Sequence, residues 1–348
     1  MNILIPSCAR RIDFVGFFKN ALRDLGIDGK VVVADPDYNA PSLQAGDNSY
    51  VIPHQTDEKY LDKIFDICDK ENIDCIVPLN DWEVPKLASA KSEFLNKDIK
   101  VLVAEEDVVE KVRDKGKYRE LLEPFEVKAP ISYMNVEDAK KGLQSGEVDY
   151  PLIIKPRNGS ASMGVDFANN LDEVQHAYDS AVKEILDSPL DDATSKEAHE
   201  NVIIQEVIEG DKFSVDIFND LDGNFVTSLV RKQLDMRGGD IDRCITENPP
   251  ELMAVAEKIG SNLNHVGYMN ADVYYNGKDY YVIDINPRFG GGYAFSHRAG
   301  ANIPAAIIAM VKGDEVKKEW LIQKAGLELA RHDTVVNINK EKPDVMKE

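Results

Sequence analysis

Tyr280 to Gly292 reads YYVIDINPRFGGG. An apolar strand delivers Asp284, Asn286 and Arg288 to one place before the glycines end it. Strand side chains alternate between faces, so these three project to the same side. There the aspartate and asparagine offer oxygens to a hard cation, and the guanidinium can clamp a phosphate or an acyl phosphate. Such a face suits Mg-nucleotide chemistry. The same residues also suit a structural strand end, in which Asn286-Pro287 opens a turn and Arg288 pairs with Asp284.

Upstream, Asn276-Gly277 signals a hairpin. A two-residue loop would set Tyr275 against Lys278 and leave Asp272 and Asp284 on opposite faces. Met269, Ala271 and Val273 are odd-numbered, as are Tyr281, Ile283 and Ile285, and one core face has to take both sets. We therefore expect an odd loop of three residues or more, Tyr275-Asn276-Gly277 with Gly277 left-handed. It returns Asp272, Asp284 and Asn286 to one face. Two carboxylates ~4 Å apart repel by about 4 kcal/mol at an effective dielectric near 20, and a cation between them resolves the conflict.

Tyr150 to Val165, YPLIIKPRNGSASMGV, runs a buried strand into Lys155 and then into Gly159, Ser160, Ala161, Ser162 and Gly164. Small residues let backbone N–H groups approach phosphate oxygens. Val165 and Asp166 stand where a P-loop needs Lys and Ser or Thr, so this is not a P-loop. An ordinary strand-to-strand turn is the structural alternative, but an ammonium at the end of an apolar strand needs a permanent partner. We expect the loop from Gly159 to Gly164 to make few packing contacts of its own and to gain protection when Mg-ATP binds.

Working back to the start, Asn2 to Pro6 and VVVAD (31–35) read as strands around a helix from Ile12 to Leu25, the opening of a doubly wound α/β domain. The first turn carries no G-x-G-x-x-G, which argues against a dinucleotide enzyme. Arg10 and Arg11 begin the helix, where they face an anionic substrate or simply solvent. Alternation continues through a helix at 60–71, a strand at 75–79, a helix at 84–95 and a strand at 100–104. Asp81 and Glu83 follow a strand, and helix-terminus electrostatics explains them. Glu105 to Leu122 is charged and helical, and Asp114-Lys115 falls where the first domain ends. Helices are expected at 172–186, 251–263 and 303–311, with strands at 202–204, 213–218 and 226–229. A basic cluster, Arg231, Lys232 and Arg237, follows the last strand, and the residues after 331 read as a loosely held polar tail.

A formal charge of −21, from 62 acidic against 41 basic residues, opposes binding to nucleic acid or an anionic membrane. The cysteines form no C-x-x-C pair and the histidines no H-E-x-x-H spacing, so zinc and a disulfide framework lack support. No apolar run approaches 18 residues and the start MNILI has no leader pattern, which makes a cytoplasmic protein the expectation.

Taken together, these stretches resemble the ATP-grasp superfamily, within it the ATP-binding half of the carbamoyl phosphate synthetase large chain, biotin carboxylase and related carboxylate-amine ligases. The likeness covers nearly the whole chain. It implies an α/β architecture: a Rossmann-like pre-ATP-grasp domain (1–112), then an α+β ATP-grasp domain (113–331), then the polar tail (332–348). The ATP-grasp part divides into a small lid (113–200) and a larger subdomain with the metal strand (201–331). It further implies that Lys115 and Lys155 touch ATP phosphates and that the loop with Ser160, Ser162, Met163 and Gly164 closes over them. Gln205, Glu206 and Ile208 would hold the adenine. Lys212 stands near the family's ribose-binding glutamate, for which Asp211 or Glu209 would substitute. Asp272, Asp284 and Asn286 would carry Mg2+, with Mn2+ as a second ion, although the family's usual Glu-x-Asn-Pro-Arg has its glutamate shortened to Asp284. Arg288, Lys155 and Arg231 are assigned to the reacting groups. The implied reaction makes an acyl phosphate from a small-molecule carboxylate and ATP and passes it to an amine; phosphorylation of bicarbonate or carbamate, or nucleotide binding without turnover, are the alternatives. Many relatives are dimers, so a homodimer is implied as well.

Overall fold

The computed structural model describes residues 1–158, 165–187 and 197–346. A parallel sheet runs in the order Asp344–Val345, Asn48–Val51, Val31–Asp35, Ile3–Pro6, Cys75–Ile76, Lys100–Val101, and its central apolar strands Val31–Asp35 and Ile3–Pro6 are buried on both faces. Helix Ile12–Asp24 buries Phe14, Phe17 and Phe18, and helix Tyr60–Glu71 buries Ile64 and Ile67. The chain winds outward in both directions from Ile3–Pro6. The crevice at that strand's carboxyl end is thus the topological switch point, where open α/β sheets place ligands.

Two features of this domain depart from the sequence reading. Asn48–Val51 is a strand that too few apolar residues announce. The expected loose tail instead returns to the sheet: Asp344 and Val345 pair with Tyr50 and Val51, and Lys342 donates to the carbonyls of Gln44 (2.6 Å) and Gly46 (3.0 Å). Backbone pairing carries that docking, and it leaves little trace in side-chain pattern.

A second sheet is antiparallel, in the order Ser132–Tyr133, Val202–Glu206, Leu152–Pro156, Asp166–Ala168. Helices Val136–Ser145 and Leu171–Leu186 pack on it, each capped by an asparagine, Asn135 accepting from the Asp138 N–H and Asn170 from the Glu173 N–H. Leu152 and Ile154 face that helical core. Alternation therefore turns Ile153 and Lys155 the other way.

The third sheet is also antiparallel, ordered Tyr280–Asn286, Gly267–Tyr275, Asp211–Asn219, Phe225–Arg237, Asp240–Glu247, Glu328–Ala330. Phe213, Val215, Ile217, Met269, Ala271 and Val273 bury one face, with Leu252, Ala256 and Ile259 of helix Pro250–Leu263 in the same core.

The hairpin reaches the expected pairing by a different route. Tyr275 opposes Tyr280, so the turn holds four residues, an even number, closed by the Asn276 N–H on the Asp279 carbonyl. Gly277 is left-handed as expected, φ +89°. Unbroken pairing would set Asp272 against Ile283. A bulge between Asp272 and Val273 absorbs one residue and brings Asp272 opposite Asp284. The parity argument failed because Tyr281 and Ile283 are not core residues; Val282 and Ile285 are.

Tyr118 braces the bulged strand. Its hydroxyl accepts from the Ile285 N–H (2.8 Å) and donates to the Val112 carbonyl (2.5 Å), all buried. Tyr118→Phe leaves both backbone groups without that partner and is expected to cost about 1–3 kcal/mol in denaturant unfolding. An unchanged midpoint would show that the bulge holds without it.

Candidate functional site

The register of the third sheet assembles the site. Opposed residues form rows on the face away from the core: Asp284, Asp272, Ser214 and Arg231 in one, Asn286, Asn270 and Asp216 in the next. A third row holds Tyr281, Tyr274 and Lys212. Period-two alternation thus sets carboxylates, amides and cations side by side, and Ile153, Lys155 and Pro156 of the second sheet line the same cleft, about 310 Å³ in volume.

Asp272 and Asp284, opposed on neighbouring strands, each have their own lysine. Lys115 Nζ lies 2.9 Å from Asp284 Oδ1, and Lys212 Nζ 2.8 Å from Asp272 Oδ2. Ammonium groups offset the repulsion between the two carboxylates here. Burial alone would lower the Lys212 pKa, but Asp272 draws it above the ordinary lysine value. Lys115 is placed by the join between domains. Arg157, just past strand Leu152–Pro156, grips Asp114 with Nε at 2.5 Å and Nη2 at 2.7 Å, and the Lys115 N–H reaches the Arg157 carbonyl.

Lys155 is 9% exposed and has no acceptor among the described residues. Burial first, and then the neighbouring Lys115, push its pKa down to about 8. A cleft with an ammonium lacking a counter-ion, between two further lysines, is built to receive negative charge.

Arg288 is fixed from the other domain. Its Nη2 lies 2.5 Å from Asp81 Oδ2, and its Nη1 donates to the Phe289 carbonyl at 3.0 Å. Burial raises the Asp81 pKa, but the Arg288 guanidinium outweighs that and holds it below the usual carboxylate value. Asp81 is therefore a partner of Arg288, and Glu83, the first residue of helix Glu83–Ser89, accepts from the N–H groups of Leu79 (2.8 Å) and Asn80 (3.0 Å) in the segment before it. Arg11, also lining the cleft, donates to the carbonyls of Leu79 and Phe289, both at 3.2 Å. The switch point of the parallel sheet and the end of strand Tyr280–Asn286 thus meet at two guanidiniums.

Arg231 is a correction. It is wholly buried and paired with Asp216, with Ser296 Oγ at 2.6 Å and Ser214 Oγ at 3.0 Å, and it does not line the cleft. Its side chain is held below the floor. Asp211 is exposed and pairs with Lys232 (2.7 Å), away from the cleft lining. Gln205 is buried and donates to Ser132 Oγ (2.8 Å), Glu206 accepts from the Ile131 N–H (3.1 Å), and Ile208 lies half-buried between the second-sheet and third-sheet strands. Ser160, Ser162, Met163 and Gly164 lie outside the described residues.

Hard cations favour oxygen donors. Asp272, Asp284 and Asn286 supply them, and Gln233 Oε1 is buried beside them without a partner while its Nε2 holds Asp272 Oδ1 at 3.2 Å. The donor set fits Mg2+. Gln233 and Asn270 escaped the sequence reading, which gave Asp81 to helix-terminus electrostatics and missed its pairing with Arg288. Gln233 shares a strand face with Arg231, two residues away, and only the register reveals that it reaches Asp272.

Against this geometry, residues 3–102 match the family described as PylC-like, N-terminal domain, and residues 198–335 match ATP-grasp in the biosynthetic pathway with Ter operon. The carbamoyl phosphate synthase large chain of Pseudomonas putida is 20% identical over 310 residues, 86% of this chain and 27% of that one. The formate-dependent phosphoribosylglycinamide formyltransferase of Prochlorococcus marinus is 26% identical, covering 76% of this chain and 64% of that one. In three dimensions, the biotin carboxylase domain of the Hydrogenobacter thermophilus 2-oxoglutarate carboxylase, solved with MgADP, ADP and bicarbonate, superposes with a TM-score of 0.72 at 18% identity, over 91% of this chain and 70% of that one. Residues 3–102 thus match a PylC-like N-terminal domain and residues 198–335 an ATP-grasp domain, and the chain shares the fold of the biotin carboxylase domain. It spans about a quarter of the length of the carbamoyl phosphate synthase it matches, 27%.

Proposed function

We propose that this chain is an ATP-dependent carboxylate-amine ligase that works through an acyl phosphate and releases ADP and phosphate. The observation that carries the reading is the meeting of Arg288, held by Asp81, with Lys115, Lys155 and the Asp272–Asp284 pair in one cleft. Phosphoryl transfer asks the protein chiefly for alignment and charge neutralisation. Lys115 and Lys155 bind the polyphosphate, Arg288 orients the attacking carboxylate oxygen and neutralises charge on the transferring group, and the buried floor excludes water. Held by Asp272, Asp284 and Asn286, Mg2+ or Mn2+ would supply Lewis-acid stabilisation of the phosphate oxygens. Acyl phosphate capture by an amine then needs no side-chain nucleophile.

Phosphorylation of bicarbonate is the second reading, favoured by the bicarbonate solved with the biotin carboxylase neighbour and by the carbamoyl phosphate synthase likeness. A nucleotide-binding regulator is the third, favoured by Lys212 occupying an oxygen of Asp272. ADP release measured with candidate carboxylates plus amines, with bicarbonate, and with neither separates them. We expect release that depends on a carboxylate and an amine. Stimulation by bicarbonate alone transfers the assignment to the second reading, and tight ATP binding without ADP release to the third. The buried cysteines fit a reducing, cytoplasmic setting, and the acidic surface fits small-molecule partners instead of nucleic acid. No helix among the described residues is long and apolar enough to cross a membrane. Homodimer formation, read from relatives alone, is checked by light scattering.

A further inference from the structure

The same cleft is also lined by the glycine run and by a hairpin tip. Strands Phe225–Arg237 and Asp240–Glu247 are joined by Gly238 and Gly239, both left-handed at φ +57° and +80°. That tight reversal presents Asp240 to the cleft. A Cβ on Gly291 would come within 2.3 Å of Asp240 Oδ1, so the carboxylate rests directly on the Gly291 backbone, a place only glycine leaves open. Gly292 likewise makes room for the Arg231 side chain beneath. Asp240 is only partly exposed, yet among the described residues no hydrogen bond or ion pair engages its carboxylate. Cations are close enough to feel it: Asp240 acts electrostatically on both Arg11 and Arg288.

This leaves a charge arrangement with two open poles. Arg11 and Arg288 share the Phe289 carbonyl, and among the described residues only Asp81 forms an ion pair with either. Their remaining donors, including the buried and unpartnered Arg288 Nε, call for an anion. The carboxylate of Asp240, engaged by no hydrogen bond or ion pair among the described residues, has room for a further cation. Two poles of opposite sign in one cleft match a small molecule that carries both charges.

Resting on the ligase reading above, we propose that the carboxylate substrate also bears a primary ammonium, its carboxylate held by Arg288 and Arg11 and its ammonium by Asp240. Bicarbonate and simple carboxylic acids present nothing to Asp240 and leave that carboxylate desolvated beneath them. A site built to hydrogen-bond a group discriminates strongly against the analogue that lacks it. The amine that captures the acyl phosphate enters separately and is not specified by Asp240.

The test compares α-amino and ω-amino carboxylates with their des-amino counterparts of equal length, in ADP release and in calorimetric binding beside a non-hydrolysable ATP analogue. Wild type is expected to favour ammonium-bearing carboxylates by about tenfold or more in kcat/KM and in affinity, and the ratio is expected to collapse towards one in Asp240→Asn. Turnover with no ammonium preference, or a preference that survives in Asp240→Asn, overturns this proposal and leaves the ligase reading standing. Ammonium-dependent binding that Asp240→Asn removes, without ADP release, upholds the subsite and removes the ligase reading. Neither binding nor turnover by any carboxylate removes both. Because wild-type preference is itself decisive, a misfolded variant does not shelter the proposal.

Discussion

Lys155→Ala is expected to keep the fold and to cut ADP release by about a hundredfold or more, the usual cost of removing a preorganised charge donor. The side chain stands on the cleft face of a buried strand, with its pKa pushed down to about 8 by burial and then by Lys115. Its ammonium is therefore unfavourable until polyphosphate arrives, so ATP binding draws a proton onto Lys155, and proton uptake peaks in buffers between about pH 8 and the ordinary lysine value. The same strain has a stability signature. Since the folded pKa lies below the unfolded one, the unfolded state binds more protons in the interval between them, and wild-type stability in the absence of ligand rises with pH through that window. Lys155→Met, which fills the space without charge, should unfold at a higher temperature than wild type below pH 8. That difference should shrink towards pH 10.5. A folded Lys155→Ala with full turnover removes this residue from the chemistry, and a Lys155→Met less stable than wild type at pH 7 removes the argument from strain.

The parts of this molecule that depend on periodicity were open to reading. Helices Ile12–Asp24, Tyr60–Glu71, Leu171–Leu186 and Pro250–Leu263 follow their apolar spacing closely. So did the co-facing of Asp272, Asp284 and Asn286, although by a bulge that the sequence does not advertise. What escaped was pairing between distant segments. Nothing near Asp81 announces Arg288, 207 positions away, and an acid at the start of a helix has an ordinary electrostatic explanation. Arg231 misled in the opposite direction: a basic residue beside a basic cluster suggested an anion site, but strand register with Ser214 and the neighbouring Asp216 turned it inward. Long-range ion pairs are set by topology, and single-chain patterning carries no record of them.

Breaking that inward pair is expected to produce the largest loss of stability in the molecule. Arg231 and Asp216 are essentially inaccessible, at 0% and 1% side-chain exposure. The guanidinium also holds Ser296 and Ser214, Asn270 Nδ2 reaches Asp216 Oδ1 at 2.8 Å, and Ser296 donates to Gln323 Oε1 at 2.7 Å. One network thereby ties helix Tyr293–Arg298 and the segment around Gln323 to the central strands that carry the cleft. Asp216→Ala removes the counter-charge and strands a guanidinium in the interior, a change that costs about 3–5 kcal/mol, whereas replacing both partners by apolar residues of similar volume costs little or stabilises. Denaturant unfolding of Asp216→Ala, Arg231→Met and the double variant Asp216→Leu/Arg231→Met should show both single changes strongly destabilised and the double change well above either. Arg231→Lys separates support from chemistry. It keeps the charge and loses the fork, so a supporting role predicts a large fall in stability with turnover falling only as far as the folded fraction does. A variant as stable as wild type yet without ADP release would return Arg231 to the reacting groups.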